Sequence, residues 1–130
     1  RIEALEAGDL RSKIDITNCI SKFRSKKYDS IITIKKSTRN PYFNMVKKKK
    51  KFFQIVNKSK KYLHNRQDAP QTFDVCTVCF ISNAKFVLRF DNLFKGKVGA
   101  VIVPEERSID IDNKFDYEVA KIIYEKKLSF

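Results

Sequence analysis

The sequence feature that most constrains the fold is an apolar run followed by an acidic, alternating segment. Residues 98–103, Val-Gly-Ala-Val-Ile-Val, predict a buried strand. A Pro-Glu-Glu-Arg break follows, and Ser108-Ile-Asp-Ile-Asp112 then alternates strictly between polar and apolar residues. Because side chains at i and i+2 of an extended segment share a face, the alternation predicts Asp110 and Asp112 side by side, with the two isoleucines opposite them.

Paired carboxylates of this kind are open to two interpretations. They repel each other unless a cation or a proton lies between them. Mg²⁺ prefers such oxygen ligands and completes its shell with water and substrate phosphates. The alternative is a polar edge strand whose acidic side chains are solvated. The pattern by itself favours the solvated edge strand, since an isolated motif match carries little weight.

The order of the remaining predicted elements indicates an α/β domain. Asp15 is placed to cap a first helix, whose apolar side recurs at helical spacing as Ile16, Cys19, Ile20 and Phe23. Strands are predicted over residues 30–34 and 73–81, a short helix after Asn83, and a last helix from Asp116. Elements in this order predict a mixed sheet, in which ligands bind beyond the strand ends.

A lysine run interrupts the middle of the chain. Residues 42–46 and 52–56 predict two strands that flank Lys47–Lys51 as a hairpin. With 28 Lys and Arg against 15 Asp and Glu, the net charge of +13 suits an anionic partner such as nucleic acid, an acidic membrane surface or a nucleoside triphosphate. An AT-rich coding sequence would also enrich lysine. The five lysines are interpreted as a solvated hairpin tip, with a nucleic-acid patch as the alternative.

The cysteines and the localisation follow from composition. Three cysteines without a secretory signal pattern predict a reducing, cytoplasmic setting. Cys76 and Cys79 have CxxC spacing, but on a strand their sulfurs would lie on opposite faces, so buried structural thiols are predicted rather than a zinc site. His64, in a polar linker, is predicted to be a surface residue. No apolar run reaches the roughly 18 residues of a membrane span, and no membrane partner is expected.

Two motifs, taken together, resemble the acylneuraminate cytidylyltransferases, the CMP-sialic acid synthetase family. One is Arg66-Gln-Asp-Ala-Pro70 with the strand after it, and the other is Ser108-Ile-Asp-Ile-Asp112 with Asp116 four residues further on. The resemblance covers about residues 10–125. It implies a Rossmann-like fold of the nucleotide-diphospho-sugar transferase type, a mixed sheet within a single partial domain over residues 1–130, and a β-hairpin arm over residues 41–65 that mediates homodimerisation.

The resemblance also implies an activity and its residues. The reaction is the transfer of CMP from CTP to a hydroxyl of a nonulosonic (sialic-type) acid, with release of pyrophosphate. By the family pattern, Asp110 and Asp112 would be catalytic and would bind Mg²⁺. The residues that would contact the sugar acid are Arg66, Gln67, Phe80, Leu93 and Phe94.

The chain departs from the family pattern at its beginning. The family has an N-terminal strand and a loop bearing Gly, Arg, Ser and Lys that holds the CTP phosphates, and neither is found in these residues. We therefore expect the 130-residue chain to be inactive by itself. N-acetylneuraminic, legionaminic and pseudaminic acids all remain open as substrates, and no general base is named. The alternatives are a noncatalytic basic module that binds nucleic acid, and a remnant kept for dimerisation.

Overall fold

A computed structural model describes residues 10–58 and 66–128, and its elements confirm the predicted α/β class. The elements are α1 (Lys13–Arg24), β1 (Ser30–Lys36), β2 (Val46–Lys49), β3 (Phe52–Ile55), β4 (Phe73–Ser82), α2 (Ala84–Arg89), β5 (Val98–Ile102) and α3 (Lys114–Leu128). Within the described ranges, no helix is both long and apolar enough to cross a bilayer. His64, predicted to be a surface residue, lies outside the described residues.

The chain divides into two compact units. The first unit comprises residues 1–35 and 75–130, and the second comprises residues 36–74. The larger sheet has the strand order β4-β1-β5, and the smaller one is the β2-β3 hairpin. That residues 1–130 form a single partial domain, with residues 41–65 as its dimerisation arm, stays a prediction.

The larger sheet is mixed. β1 and β5 are parallel, with Ser30 opposite Val98. β4 runs the other way along β1, because Thr33 bonds to Cys79 while Ser30 bonds to Ser82, three residues back on β1 and three forward on β4. The central strand β1 is therefore the most buried: its residues 30–33 are at most 5% exposed. The predicted strand over residues 98–103 is confirmed as β5, but most of it is only half-buried, because it lies at a sheet edge.

The prediction for the first helix is wrong in its cap and in part of its buried face, of which Cys19 is confirmed and Ile16 and Ile20 are not. Ser12 is the N-cap, and its hydroxyl accepts from the Ile14 N–H. Asp15 lies in the first turn and is buried, as is Cys19 one turn later, whereas Ile16 and Ile20 are exposed. The reason is a long-range ion pair of Asp15, described below, which turns that side of α1 inward.

The last helix also begins earlier than predicted. It starts at Lys114 rather than Asp116, because the Asn113 side chain accepts from the Asp116 N–H at 2.8 Å in the manner of an N-cap. Ala120 is fully buried and packs with Leu10 in a core cluster. Ile122, two residues further along the helix, is 54% exposed.

The three cysteines have no disulfide partner among the described residues. Cys19 and Cys76 are buried, as predicted, and Cys79 is half-buried. Burial raises the pKa of the Cys19 thiol to about 12, and the neighbouring Cys79 thiol adds to the rise. The Cys19 thiol therefore stays protonated at neutral pH, which makes it a poor nucleophile and a poor metal ligand.

The predicted hairpin is present with a shifted first strand. β2 pairs with β3 so that Val46 lies opposite Ile55 and Lys49 opposite Phe52. The first strand was predicted over residues 42–46, but residues 40–44 form a turn in which the Asn40 carbonyl accepts from Phe43 and Asn44. Three of the five lysines consequently lie in β2, and the last two make the turn to β3.

Lys26, the second residue after the end of α1, has an unusual backbone conformation that can be tested. Lys26 has φ 61°, and its N–H bonds to the Phe23 carbonyl as the helix ends. A side chain is disfavoured in this left-handed region, where glycine is the usual residue. We expect Lys26→Gly to raise the free energy of unfolding by about 1 kcal/mol in urea titrations. Lys27→Gly is the matched control, and a gain of equal size there would contradict this explanation.

Candidate functional site

The acidic segment follows β5 in a loop that is anchored to other elements of the first unit. The Val103 N–H donates to the Ile34 carbonyl at 2.8 Å, which extends the parallel pairing by one residue. A turn of 3₁₀ helix, Glu105–Arg107, comes next. It is closed by the Ser108 N–H and hydroxyl, both of which donate to the Glu105 carbonyl. Because Val103 and Ser108 are at most 1% exposed, both ends of this turn are held in the interior.

An ion pair ties the loop to α1. The Arg107 Nε and Nη2 donate to the two carboxylate oxygens of Asp15 at 2.8 and 3.0 Å. The Asp15 side chain is 2% exposed and that of Arg107 is 31% exposed. The hydrogen bonds with Asp15 raise the pKa of the Arg107 guanidinium above its ordinary value. A bidentate pair of this kind determines orientation as well as distance, so it locks the loop against the helix.

The alternation of residues 108–112 is realised without a strand. Ile109 and Ile111 pack against the buried cluster of Leu10 and Ala120. Within the described residues, this segment belongs to neither sheet, so the interpretation as an edge strand is wrong. Its shape comes instead from the two isoleucines, which are drawn to the core and leave the intervening Asp110 half-buried and the following Asp112 exposed.

Asp110 is held by two side chains from distant parts of the first unit. The Thr77 hydroxyl, on β4, donates to Asp110 Oδ1 at 2.6 Å. The Arg11 Nη2 approaches the same oxygen at 3.4 Å, while its Nη1 donates to the Arg107 carbonyl at 2.7 Å. Arg11 therefore connects the carboxylate to the anchored turn. With both contacts on Oδ1, the carboxylate has a defined orientation.

Asp112 is positioned through its backbone. Its N–H donates to Asp116 Oδ2 at 3.1 Å, and Asp116 is in turn fixed by Asn113 at the start of α3. The first turn of a helix favours a carboxylate such as that of Asp116. The Asp112 carboxylate is exposed, and it sits two residues before a fixed helix end.

The two aspartates fit a magnesium ion better than a metal that needs a complete protein cage. Among the described residues, no group of three or more His, Cys, Asp or Glu side chains is arranged to hold a metal. Mg²⁺ is usually bound by one or two carboxylates, with water and substrate phosphates as its other ligands. Asp110 and Asp112 supply hard oxygen donors of that kind from an anchored loop.

Three predicted sugar-binding residues belong to the same unit as the aspartates. Phe80 on β4 is 49% exposed, and Phe94 in the 3₁₀ turn Leu93–Lys95 is 64% exposed. Leu93 is half-buried. Aromatic rings exposed to this extent have surface to offer a ligand. Their contact with a sugar acid stays a prediction.

The other two predicted sugar-binding residues belong to the second unit. Arg66 and Gln67 begin the 3₁₀ turn Arg66–Asp68, and the Arg66 side chain lies outside what the structure describes. Gln67 is exposed and lines a cavity of about 330 Å³. The other lining residues are Lys36, Ser37, Asn40, Ala69, Pro70, Gln71 and Thr72. The lining among the described residues is mainly polar and includes the Lys36 ammonium group, which suits a hydroxylated anion.

Several residues that shape the site were not identified from the sequence. The sequence presents Asp15 as a helix cap and Arg107 as part of a loop break, and it assigns no role to Thr77. Their partners are 92 and 33 residues away along the chain. Local periodicity carries no signal for such pairs. Arg11 falls within the resemblance, yet nothing in the pattern connects it with Asp110.

Together the fold and the loop define an α/β chain with an anchored pair of carboxylates after a parallel strand. No family model matches the chain. It is 27% identical over 121 residues to the post-translational flagellin modification protein B of Campylobacter coli, an alignment that covers 93% of this chain and 51% of that protein. It is also 27% identical over 97 residues to the CMP-N,N′-diacetyllegionaminic acid synthase of Campylobacter jejuni, covering 75% and 40%.

These similarities support the resemblance at a coarse level. The chain is similar to a protein named as the synthase of a CMP-activated sugar acid. It spans about half the length of the curated relatives it matches.

Proposed function

We propose that this chain provides the metal- and sugar-binding part of a cytidylyltransferase that activates a nonulosonic acid with CTP. The observation that carries the proposal is the anchored pair Asp110 and Asp112, found in a chain similar to a CMP-sugar acid synthase. The products would be the CMP-sugar and pyrophosphate. Legionaminic-type acids head the candidate substrates, because the second relative is named for one.

Asp110 and Asp112 would hold Mg²⁺, with Asp110 oriented by Thr77 and Arg11. A magnesium ion bound there would supply charge neutralisation for the triphosphate and the attacking hydroxyl. The protein's own part is positioning: phosphoryl transfer needs reacting atoms in line and cations close to developing charge, with little covalent chemistry. The Asp15–Arg107 pair serves this by keeping the loop in one orientation.

Polar and apolar residues would each contact a different part of the sugar acid. Arg66 and Gln67 suit its carboxylate and hydroxyl groups, and the polar cavity beside Gln67 is at the lower end of the usual volume of ligand pockets. Phe80, Leu93 and Phe94 suit its apolar faces. A homodimer through residues 41–65 is part of the same proposal. The 130 residues by themselves are expected to release no pyrophosphate from CTP.

The proposal is tested by metal binding to this chain, which does not depend on turnover. Mn²⁺ serves as the paramagnetic substitute for Mg²⁺, and its binding is followed by electron paramagnetic resonance. We expect Asp110→Asn and Asp112→Asn each to weaken Mn²⁺ binding by at least about tenfold, because each removes a charged ligand oxygen.

The matched control is Asp91→Asn, an exposed aspartate that pairs with Lys95, four residues further along the chain. The Asp91→Asn substitution is expected to leave Mn²⁺ binding unchanged. In the wild-type chain, added Mg²⁺ should displace the bound Mn²⁺. Equal weakening in all three variants would mean that the ion responds only to net charge, and the proposed site would then be wrong.

A further inference from the structure

A buried threonine of the central strand β1 is bonded to the backbone of its neighbour β4. Thr33 is 0% exposed, and its hydroxyl donates to the Cys76 carbonyl at 2.7 Å. The same oxygen accepts from the Val78 N–H at 3.3 Å and from the Cys79 N–H at 3.2 Å. The Cys79 carbonyl, also at 3.2 Å, is a second acceptor within reach. Because a hydroxyl has one proton and two lone pairs, these bonds use its whole hydrogen-bonding capacity.

β4 is irregular over the residues that Thr33 holds. In a regular strand, side chains that share a face recur every two residues. Thr77 and Phe80 are both exposed although they are three residues apart, and each follows a residue with less exposure, the buried Cys76 and the half-buried Cys79. β-bulges shift the alternation of a strand in this way and re-aim the side chains beside them. Thr77 and Phe80 are therefore turned outward together.

The segment held by Thr33 carries two side chains of the proposed site. The Thr77 hydroxyl donates to Asp110 Oδ1 at 2.6 Å, and Phe80, which is 49% exposed, is one of the predicted sugar contacts. The residues on either side of Thr77 both have a backbone group bonded to Thr33. Because the backbone is held on both sides of Thr77, the position from which its hydroxyl reaches Asp110 is determined by β1.

We propose that Thr33 is a positioning residue for the metal site, acting on Asp110 through Thr77. This inference rests on the proposed function of the two aspartates. The three residues act in series: Thr33 holds the backbone of β4, Thr77 presents its hydroxyl from that backbone, and Asp110 accepts it. Removing a group that orients a metal ligand typically weakens metal binding about 10- to 100-fold. A purely structural role, in which the bonds of Thr33 only stabilise the sheet, predicts no specific effect on metal binding.

The first test is Mn²⁺ binding to the whole chain, followed by electron paramagnetic resonance. Thr33→Val removes the hydroxyl and keeps the branched shape of the side chain, and we expect it to weaken Mn²⁺ binding about tenfold. Thr33→Ser keeps the hydroxyl and should restore binding to within about twofold of the wild-type chain. The matched control is Ile32→Val, which trims the adjacent residue of β1, 5% exposed, and should leave binding within about twofold.

A double variant separates positioning from a general loss of structure. Thr77→Val alone is expected to weaken Mn²⁺ binding about tenfold, because it removes the hydroxyl that orients Asp110. Since Thr33 acts through Thr77, combining Thr33→Val with Thr77→Val should weaken binding no further than Thr77→Val alone. Two independent effects would instead multiply to about a hundredfold. A multiplied effect of that size, or equal weakening by Ile32→Val, would overturn the positioning role.

Amide hydrogen exchange tests the held segment without relying on a variant that has to fold. In the wild-type chain, the Val78 and Cys79 N–H groups are expected to exchange slowly in nuclear magnetic resonance spectra, because both are bonded to the buried hydroxyl. Thr77→Val should leave this protection unchanged, since Thr77 lies downstream of it. Fast exchange of both groups in the wild-type chain would overturn the inference.

The response of Asp110→Asn distinguishes this inference from the proposed function. Weakened Mn²⁺ binding in Asp110→Asn together with unchanged binding in Thr33→Val would overturn the positioning role and leave the metal site standing. Unchanged binding in Asp110→Asn would overturn the proposed function, and the role of Thr33 with it. Weakened binding in both variants, with rescue by Thr33→Ser, is the expected result.

Discussion

Replacing Arg107 with alanine is expected to lower the free energy of unfolding by about 3 kcal/mol. The substitution leaves the Asp15 carboxylate, 2% exposed, without the guanidinium that bonds both of its oxygens. An uncompensated buried charge of this kind costs about 3–5 kcal/mol, and the lower value applies because the Arg107 side chain is nearly one third exposed. The measurement is urea unfolding followed by far-ultraviolet circular dichroism.

Two further variants test whether the unpaired Asp15 charge causes the loss of stability in Arg107→Ala. Replacing both partners, Asp15→Leu with Arg107→Leu, should cost less than Arg107→Ala alone, because no buried charge is left unpaired. Arg24→Ala, at an exposed position at the end of the same helix, should change stability by no more than about 0.5 kcal/mol. If the double variant is as unstable as the single one, the unpaired Asp15 charge is not the cause.

The sign of the pH dependence follows from the raised pKa of Arg107. Because folding raises this pKa above an already high ordinary value, the contribution of Arg107 is complete at every pH below that value and disappears only in strongly alkaline solution. The difference between the wild-type chain and Arg107→Ala is therefore expected to be constant from about pH 6 to about pH 9.

Under the proposed function, Asp110→Asn and Asp112→Asn are each expected to lower the turnover of the proposed cytidylyltransferase by about a thousandfold. A carboxylate that holds the metal contributes several kcal/mol of transition-state stabilisation, and each 1.4 kcal/mol corresponds to about tenfold in rate. The measurement is pyrophosphate release from CTP and a nonulosonic acid in the presence of Mg²⁺.

The control is Glu105→Gln, an exposed acid in the turn of the same loop. It should keep turnover within about twofold, because its side chain is not among the proposed ligands. Turnover that survives both aspartate substitutions would remove the metal role from this loop. Weak Mn²⁺ binding with normal turnover would point to a different metal site in the enzyme.

Local sequence patterns predicted those elements whose formation depends on neighbouring residues, such as a β-branched strand or a side-chain helix cap. The β-branched run at residues 30–34 is the central strand, and the Asn83 cap begins α2 as expected, with its side chain accepting from the Lys85 N–H. The hairpin was predicted, but its first strand was displaced, because the Asn40 turn occupies residues that carry strand-forming side chains. Turn chemistry prevailed over propensity there.

For the site, the sequence by itself determined that Ile109 and Ile111 share a face, since side chains two residues apart in an extended chain point the same way, and both pack against the core. Only the tertiary structure decided what holds that segment. Arg107 reaches Asp15 across 92 residues, and Arg11 and Thr77 orient Asp110 from separate elements. Such pairs depend on which surfaces meet when the sheet and helices pack. One chain's sequence encodes that packing, but its local patterns do not show it.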